Sequence, residues 1–299
     1  MSGKTLQWLH FPEHRACGIL AQHTVDELTD VAKTYVAASY VKYLESAGSR
    51  VAVIRLYLSD CEYEKIFYSI NGILLPGGAV DLETSEFSRV AGIFYRLALK
   101  ACDQGDYFPI WGTCMGQQLL TALTAGEDLL TPTDSLNIAL TLQFTQEAKS
   151  SQMFKDFPPD LMRVLSDKPL TGNFHKFSVT ERAFESNVKL RSFYRLISTS
   201  SDRRGVTFVS TMEAFQYPFY GTQWHPEANR FLWKESLEAP HCVHGVRISY
   251  LLAEFFVNEV RKNLHHFETK EQEESALIDT HKPVFLGDKS SFRTLYFFD

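Results

Sequence analysis

The stretch Asp106 to Leu120, DYFPIWGTCMGQQLL, leaves the chain few folds to choose from. Tyr107, Phe108, Ile110 and Trp111 make a short apolar run suited to a buried strand. Gly112 and Thr113 interrupt it, Cys114 and Gly116 follow, and Gln117 to Leu123 reads as a helix. A strand that bends sharply into a helix holds the residue at the bend above the sheet and beside the helix N-terminus. Main-chain N–H groups and the helix field favour a thiolate there, and the same N–H groups can face a developing oxyanion. A solitary cysteine in this setting also reads as a small buried hydrophobe, so the assignment rests on its companions.

The rest of the first half supports a layered fold. Cys17 to Ala21, Val51 to Leu58 and Gly72 to Leu75 read as apolar strands. Thr34 to Ala47, Cys61 to Tyr68 and Phe87 to Ala101 read as helices, the second capped by Asp60. Apolar strands alternating with amphipathic helices predict an α/β fold, with a mainly parallel central sheet covered by helices on both faces. After Leu130 the runs Ala139 to Thr145, Phe174 to Thr180, Phe193 to Ser200, Val206 to Met212 and Phe219 to Gln223 predict mixed or antiparallel strands that extend the same sheet. A last helix is expected over Val246 to Leu264. The charged segment ETKEQEES after Phe267 is expected to be disordered, and the aromatic run Phe292 to Phe298 either packs back or stays a loose tail. These readings predict one catalytic domain over 16–267, an N-terminal extension over 1–15 and a partly disordered tail over 268–299.

Composition narrows the function classes. A formal charge of −6 over 299 residues argues against a dedicated nucleic-acid surface. Five cysteines, with no pair at C-x-x-C spacing, do not suggest a disulfide framework or a cysteine zinc site. His265 and His266 are adjacent and face apart, and His241 and His244 have no acidic partners nearby, so no metal and no cofactor is expected. No run has the length of a membrane span. The first fifteen residues carry His10, Glu13, His14 and Arg15 without a long apolar core, and do not read as a signal peptide. Composition alone points to the cytosol.

Three elements fall at the carboxyl ends of strands, where open α/β sheets place their sites. They are Cys114, the turn Pro76-Gly77-Gly78, and the segment Gln223-Trp224-His225-Pro226-Glu227. A thiol nucleophile needs a base, and the base needs an orienter. His225 can be the base. Glu227, two residues on, can hold its other ring N–H across the bend made by Pro226. Gly77, Gly78 and the N–H of Met115 are the expected oxyanion donors, since glycine lets main chain approach closely. Separately each element reads as an ordinary turn or loop; together they spell a cysteine hydrolase. His175, in Gly172-Asn173-Phe174-His175-Lys176, is a candidate to grip a substrate carboxylate.

The segments TYVAASYVKYLESAGSRV (34–51), GILLPGGAVDL (72–82), YFPIWGTCMG (107–116), NFHKFSV (173–179), YGTQWHPE (220–227) and LAEFFVNEVRKNLHHF (252–267) carry a specific resemblance. Over residues 16 to about 267 the chain resembles the gamma-glutamyl hydrolase family, a member of the class I glutamine amidotransferase-like group. The resemblance implies cleavage of gamma-glutamyl bonds in folate and antifolate polyglutamates, with Cys114 as nucleophile, His225 as base and acid, and Glu227 as orienter. It implies a substrate-binding set of His175, Gln118, Gln223 and Trp224, no cofactor, a homodimer, and a lysosomal or extracellular location. Neither a membrane nor a nucleic acid is an expected partner. Two positions depart from the family pattern: Gln117-Gln118 stands where Phe-Glu is usual, and Ala228 where Lys is frequent. The alternative reading is a glutaminase subunit that supplies ammonia to a separate synthase. Only 72 residues follow Glu227, too few for a typical fused synthase.

Overall fold

A computed structural model describes residues 15–287, 290 and 292–299. The expected N-terminal extension lies outside the described residues except for Arg15. The strands are β1 Ala16–Leu20, β2 Gln22–His23, β3 Thr34–Ala37, β4 Arg50–Ile54, β5 Ile73–Leu75, β6 Ile110–Thr113, β7 Leu130–Leu140, β8 Gln143–Phe144, β9 Thr171–Val179, β10 Tyr194–Ser201, β11 Thr207–Ala214, β12 Phe219–Thr222, β13 Val284–Phe285 and β14 Thr294–Phe298. The α-helices are α1 Ala38–Glu45, α2 Asp60–Phe67, α3 Glu86–Asp103, α4 Met115–Ala125, α5 Pro159–Asp167, α6 Glu181–Ser186, α7 Val188–Phe193, α8 Ala228–Phe231, α9 Val243–Val260 and α10 Lys270–Ala276.

The main sheet runs β4-β1-β5-β6-β12-β11-β10-β8. Pairs from β4 through β12 are parallel, and those from β12 through β8 antiparallel. The expected fold class is therefore present. Side-chain alternation along the strands divides the core in two. Ile73, Leu75 and Ile110 face a layer with Tyr63, Phe94 and Leu119 from α2, α3 and α4. Leu74 and Trp111 face a layer with Leu44, Leu161 and Phe256 from α1, α5 and α9. Each such side chain, once buried, contributes about 1.5–3 kcal/mol. No helix among the described residues is long and apolar enough to cross a membrane.

Several local expectations need correction. Thr34 to Ala37 is strand, and the helix begins only at Ala38. The reason is the run Phe292 to Phe298: as β14 it pairs antiparallel with β3, Leu295 opposite Ala37 and Phe298 opposite Thr34. That run packs back on the fold, with Leu295 and Phe298 buried in the second layer. The charged segment expected to be disordered contains α10, whose N-cap Thr269 accepts from the Gln272 N–H. Ser59, not Asp60, caps α2, in a reciprocal capping box with Glu62. Among the described residues, the strand Phe174 to Thr180 reaches the main sheet only by a single antiparallel bridge from Thr180 to Phe208 in β11. As part of β9 it pairs with β7 in a separate antiparallel ribbon, longer and earlier than the expected strand Ala139 to Thr145.

The sharp bend depends on two glycines. A Cβ at Gly112 would come 2.6 Å from the Gly116 carbonyl carbon, and a Cβ at Gly116 would drive into the Leu75 carbonyl. Gly116→Ala is expected to destabilise the fold by about 3 kcal/mol in urea titration, because backbone must move. Gly105→Ala, at φ +83 but with open space around it, is expected to cost about 1–2 kcal/mol. Equal losses would contradict the packing account.

Candidate active site

Cys114 sits between β6 and α4 with φ 53 and ψ −108, a conformation that non-glycine residues rarely hold. Such backbone costs about 1–3 kcal/mol and persists only where its surroundings impose it. Here the Cys114 N–H donates to the Thr222 carbonyl at 2.7 Å, and its own carbonyl accepts from the Gln118 N–H at 3.0 Å. The first tie fastens the bend to β12, the strand that leads to His225. Because β6 and β12 run parallel with Thr113 opposite Thr222, both strands release their chemical residues at one edge.

His225 Nδ1 lies 2.7 Å from Glu227 Oε1, with both side chains buried. The His225 N–H donates to the Gly172 carbonyl at 3.0 Å, and the Phe174 ring packs 5.2 Å from the imidazole. The ribbon of β7 and β9 thus holds His225 as well as walling the cleft. The remaining ring nitrogen, Nε2, has no bonded partner apart from its interaction with Cys114. Burial acts to lower the His225 pKa. The Glu227 carboxylate and then the interaction with Cys114 outweigh it and raise the group to about 10. His225 is therefore an imidazolium at neutral pH.

The Pro76-Gly77-Gly78 turn closes over this pair. A Cβ on Gly77 would meet His225 Cε1 at 2.7 Å, the Tyr40 hydroxyl at 2.9 Å and Cys114 Cβ at 3.2 Å. The Gly77 N–H, however, donates to the Tyr40 hydroxyl at 2.8 Å. This corrects the expected oxyanion donors: Gly77 is committed, while Gly78 and Met115 make no main-chain N–H hydrogen bond among the described residues. Cys114, His225, Gly77 and Gly78 line a cleft of about 760 Å³, with Phe174, Leu136 and Phe292 among its walls.

The expected substrate-binding set is placed differently. Trp224 is wholly buried in the second core layer and donates from Nε1 to Thr211 Oγ1 at 3.2 Å. Gln223 is equally buried; its N–H continues the sheet to the Ser210 carbonyl, and its side chain accepts from Gln118 Nε2 at 3.1 Å. Gln118 also donates to the Phe177 carbonyl at 2.7 Å. His175 is held between Asn173 Oδ1 at 3.1 Å and Ser178 Oγ at 2.9 Å. Burial, and then the charge on His225, lower it to about 3. It is a neutral imidazole with both nitrogens hydrogen-bonded within the protein, so the expected carboxylate grip would require one of these bonds to be exchanged. None of the four is among the cleft-lining residues. Ala228, at the start of α8, is fully buried. Sequence reasoning missed Tyr40 and Gln22, which bracket the glycine turn; Tyr40 reads as one more apolar position on a helix face.

The fold and the site define an α/β protein with a cysteine at the carboxyl edge of a mainly parallel central sheet. A solved structure from Thermoplasma acidophilum, described as a component of GMP synthase, shares the fold with TM-score 0.50 and 14% identity, over 84% of this chain and 99% of that one. The family model described as Peptidase C26 matches residues 16–227. A gamma-glutamyl hydrolase of Homo sapiens is 48% identical over 283 residues, 94% of this chain and 89% of that protein. Another, of Mus musculus, is 46% identical over 297 residues, 99% of this chain and 93% of that protein. The chain belongs to the gamma-glutamyl hydrolase family.

A histidine with a raised folded pKa stabilises the fold fully below its unfolded value of about 6.5, and that stability is lost as pH rises through about 10. The basic limb of kcat/KM is expected near that upper value rather than near 6.5. Glu227→Gln should move the limb down by at least about one unit and reduce kcat/KM by about 10–100-fold. A limb that stays in place in the variant would remove Glu227 from its orienting role.

Proposed function

We propose that this protein hydrolyses gamma-glutamyl bonds in folate and antifolate poly-gamma-glutamates through a thioester on Cys114. The observation that carries this reading is the buried His225–Glu227 pair at 2.7 Å, set against a strained nucleophile bend in one cleft. The high identity to gamma-glutamyl hydrolases supports the substrate class. The Cys114 thiolate attacks the gamma-carbonyl carbon, and the carbonyl oxygen becomes an oxyanion facing the Gly78 and Met115 N–H groups. His225 gives its Nε2 proton to the leaving amine as the C–N bond breaks. A water then loses a proton to His225 and attacks the thioester, which releases the glutamyl carboxylate and returns the thiolate–imidazolium pair. Glu227 holds the imidazole and balances its charge throughout.

The alternative, a glutaminase feeding ammonia to a synthase, is not favoured, since the curated relatives at 44–48% identity are all named gamma-glutamyl hydrolase. By the same family resemblance, the protein acts as a homodimer in the lysosome or outside the cell. A monomer in sedimentation at micromolar concentration, or retention in the cytosol of the expressing cell, would contradict these two assignments.

The chain alone, given a folate pentaglutamate, is expected to release glutamate or glutamyl peptides identifiable by mass. Cys114→Ala should lose turnover by about 10³-fold or more while holding substrate within a few-fold of wild type. Glutamine hydrolysis that needs an added synthase, with no cleavage of the pentaglutamate, would overturn the proposal.

A further inference from the structure

We propose that Tyr40 and Gln22 are positioning residues that clamp the Gly77 main chain from both sides and thereby aim the oxyanion donors. The inference rests on the gamma-glutamyl hydrolase reading of the site. Two successive glycines are the least restrained backbone a chain can offer. A turn that must present an N–H to a developing charge cannot be left free, because donors have to be in place before the charge forms. Gly77 must lack a side chain, since His225, Tyr40 and Cys114 crowd its Cβ position. Its restraint therefore has to come from outside the turn.

Two buried side chains supply it. Tyr40, in the first turn of α1, accepts the Gly77 N–H at 2.8 Å and fixes the Pro76–Gly77 peptide. The Gln22 side-chain amide, from β2, donates to the Gly77 carbonyl and fixes the Gly77–Gly78 peptide. No peptide in the described chain is cis. In a trans peptide the carbonyl and the following N–H point in opposite directions, so holding the Gly77 carbonyl sets where the Gly78 N–H points. Tyr40 is tied to the base as well: its hydroxyl lies 3.4 Å from His225 Nδ1 and interacts with Glu227. The clamp is thereby registered against the same imidazole that serves Cys114.

The test separates oxyanion placement from thiolate formation. Alkylation of Cys114 by iodoacetamide needs the thiolate but creates no oxyanion, whereas amide hydrolysis needs both. Tyr40→Phe and Gln22→Leu are each expected to lower kcat by at least about tenfold, with KM within about threefold. The alkylation rate should stay within about twofold of wild type. Hydrogen exchange of the segment 76–80 should be about tenfold faster in both variants. Wild-type kcat in both variants, unchanged exchange, or a loss of alkylation equal to the loss of kcat would overturn the clamp. Turnover by the wild-type chain tests the gamma-glutamyl reading separately, and the exchange measurement reads the clamp without any substrate.

Discussion

The close approach of the first turn of α4 to the end of β5 is the constraint on which the site depends. Gly116 meets the Leu75 carbonyl where a side chain has no room, and Gly112 allows the helix to fold back over β6. With both contacts made, the residue between them has no ordinary conformation left, and Cys114 takes up positive φ. The hydrogen bond from its N–H to Thr222 extends the constraint to β12. Parallel pairing of β6 with β12 then brings Cys114 and His225 to the same edge. The strain at one residue is offset by packing spread over three strands and a helix.

The electrostatics of the site follow from burial. A lone buried imidazolium is unfavourable, and His225 bears that cost in full. It stays charged because a carboxylate on one side and a sulfur on the other outweigh the loss of water. His175, on β9 and hydrogen-bonded to the neutral Asn173 and Ser178 side chains, stays neutral through burial and in part because His225 is charged. Two histidines in the same region thus divide into one charged and one uncharged imidazole. Residue type does not distinguish them; neighbours do.

The sequence disclosed the parallel sheet, the helices on both faces, the bend at Cys114 and the His225–Glu227 partner, because each leaves a local pattern. Apolar runs, glycines at a turn and a proline between two polar residues can be read within a few positions. It did not disclose the pairing of β3 with β14, which joins residues more than 250 positions apart. Without that contact, Thr34–Ala37 reads as the start of a helix and the last aromatic run has no fixed place. The substrate-binding candidates lie behind the cleft wall for another reason. Gln223 and Trp224 continue a strand whose side chains alternate into the sheet and the core, and composition does not say which side faces the cleft. Tyr40 stayed hidden because a tyrosine on an apolar helix face is usually core, and only the geometry of its hydroxyl sets it apart.

The central claim is that His225 is held as an imidazolium between Glu227 and Cys114 at neutral pH. Nitrogen-15 spectroscopy of the labelled imidazole reads this directly. At about pH 8, well above the ordinary histidine value, the account predicts two protonated ring nitrogens on His225. A His225 ring with a single protonated nitrogen at that pH, in the intact protein, would contradict it.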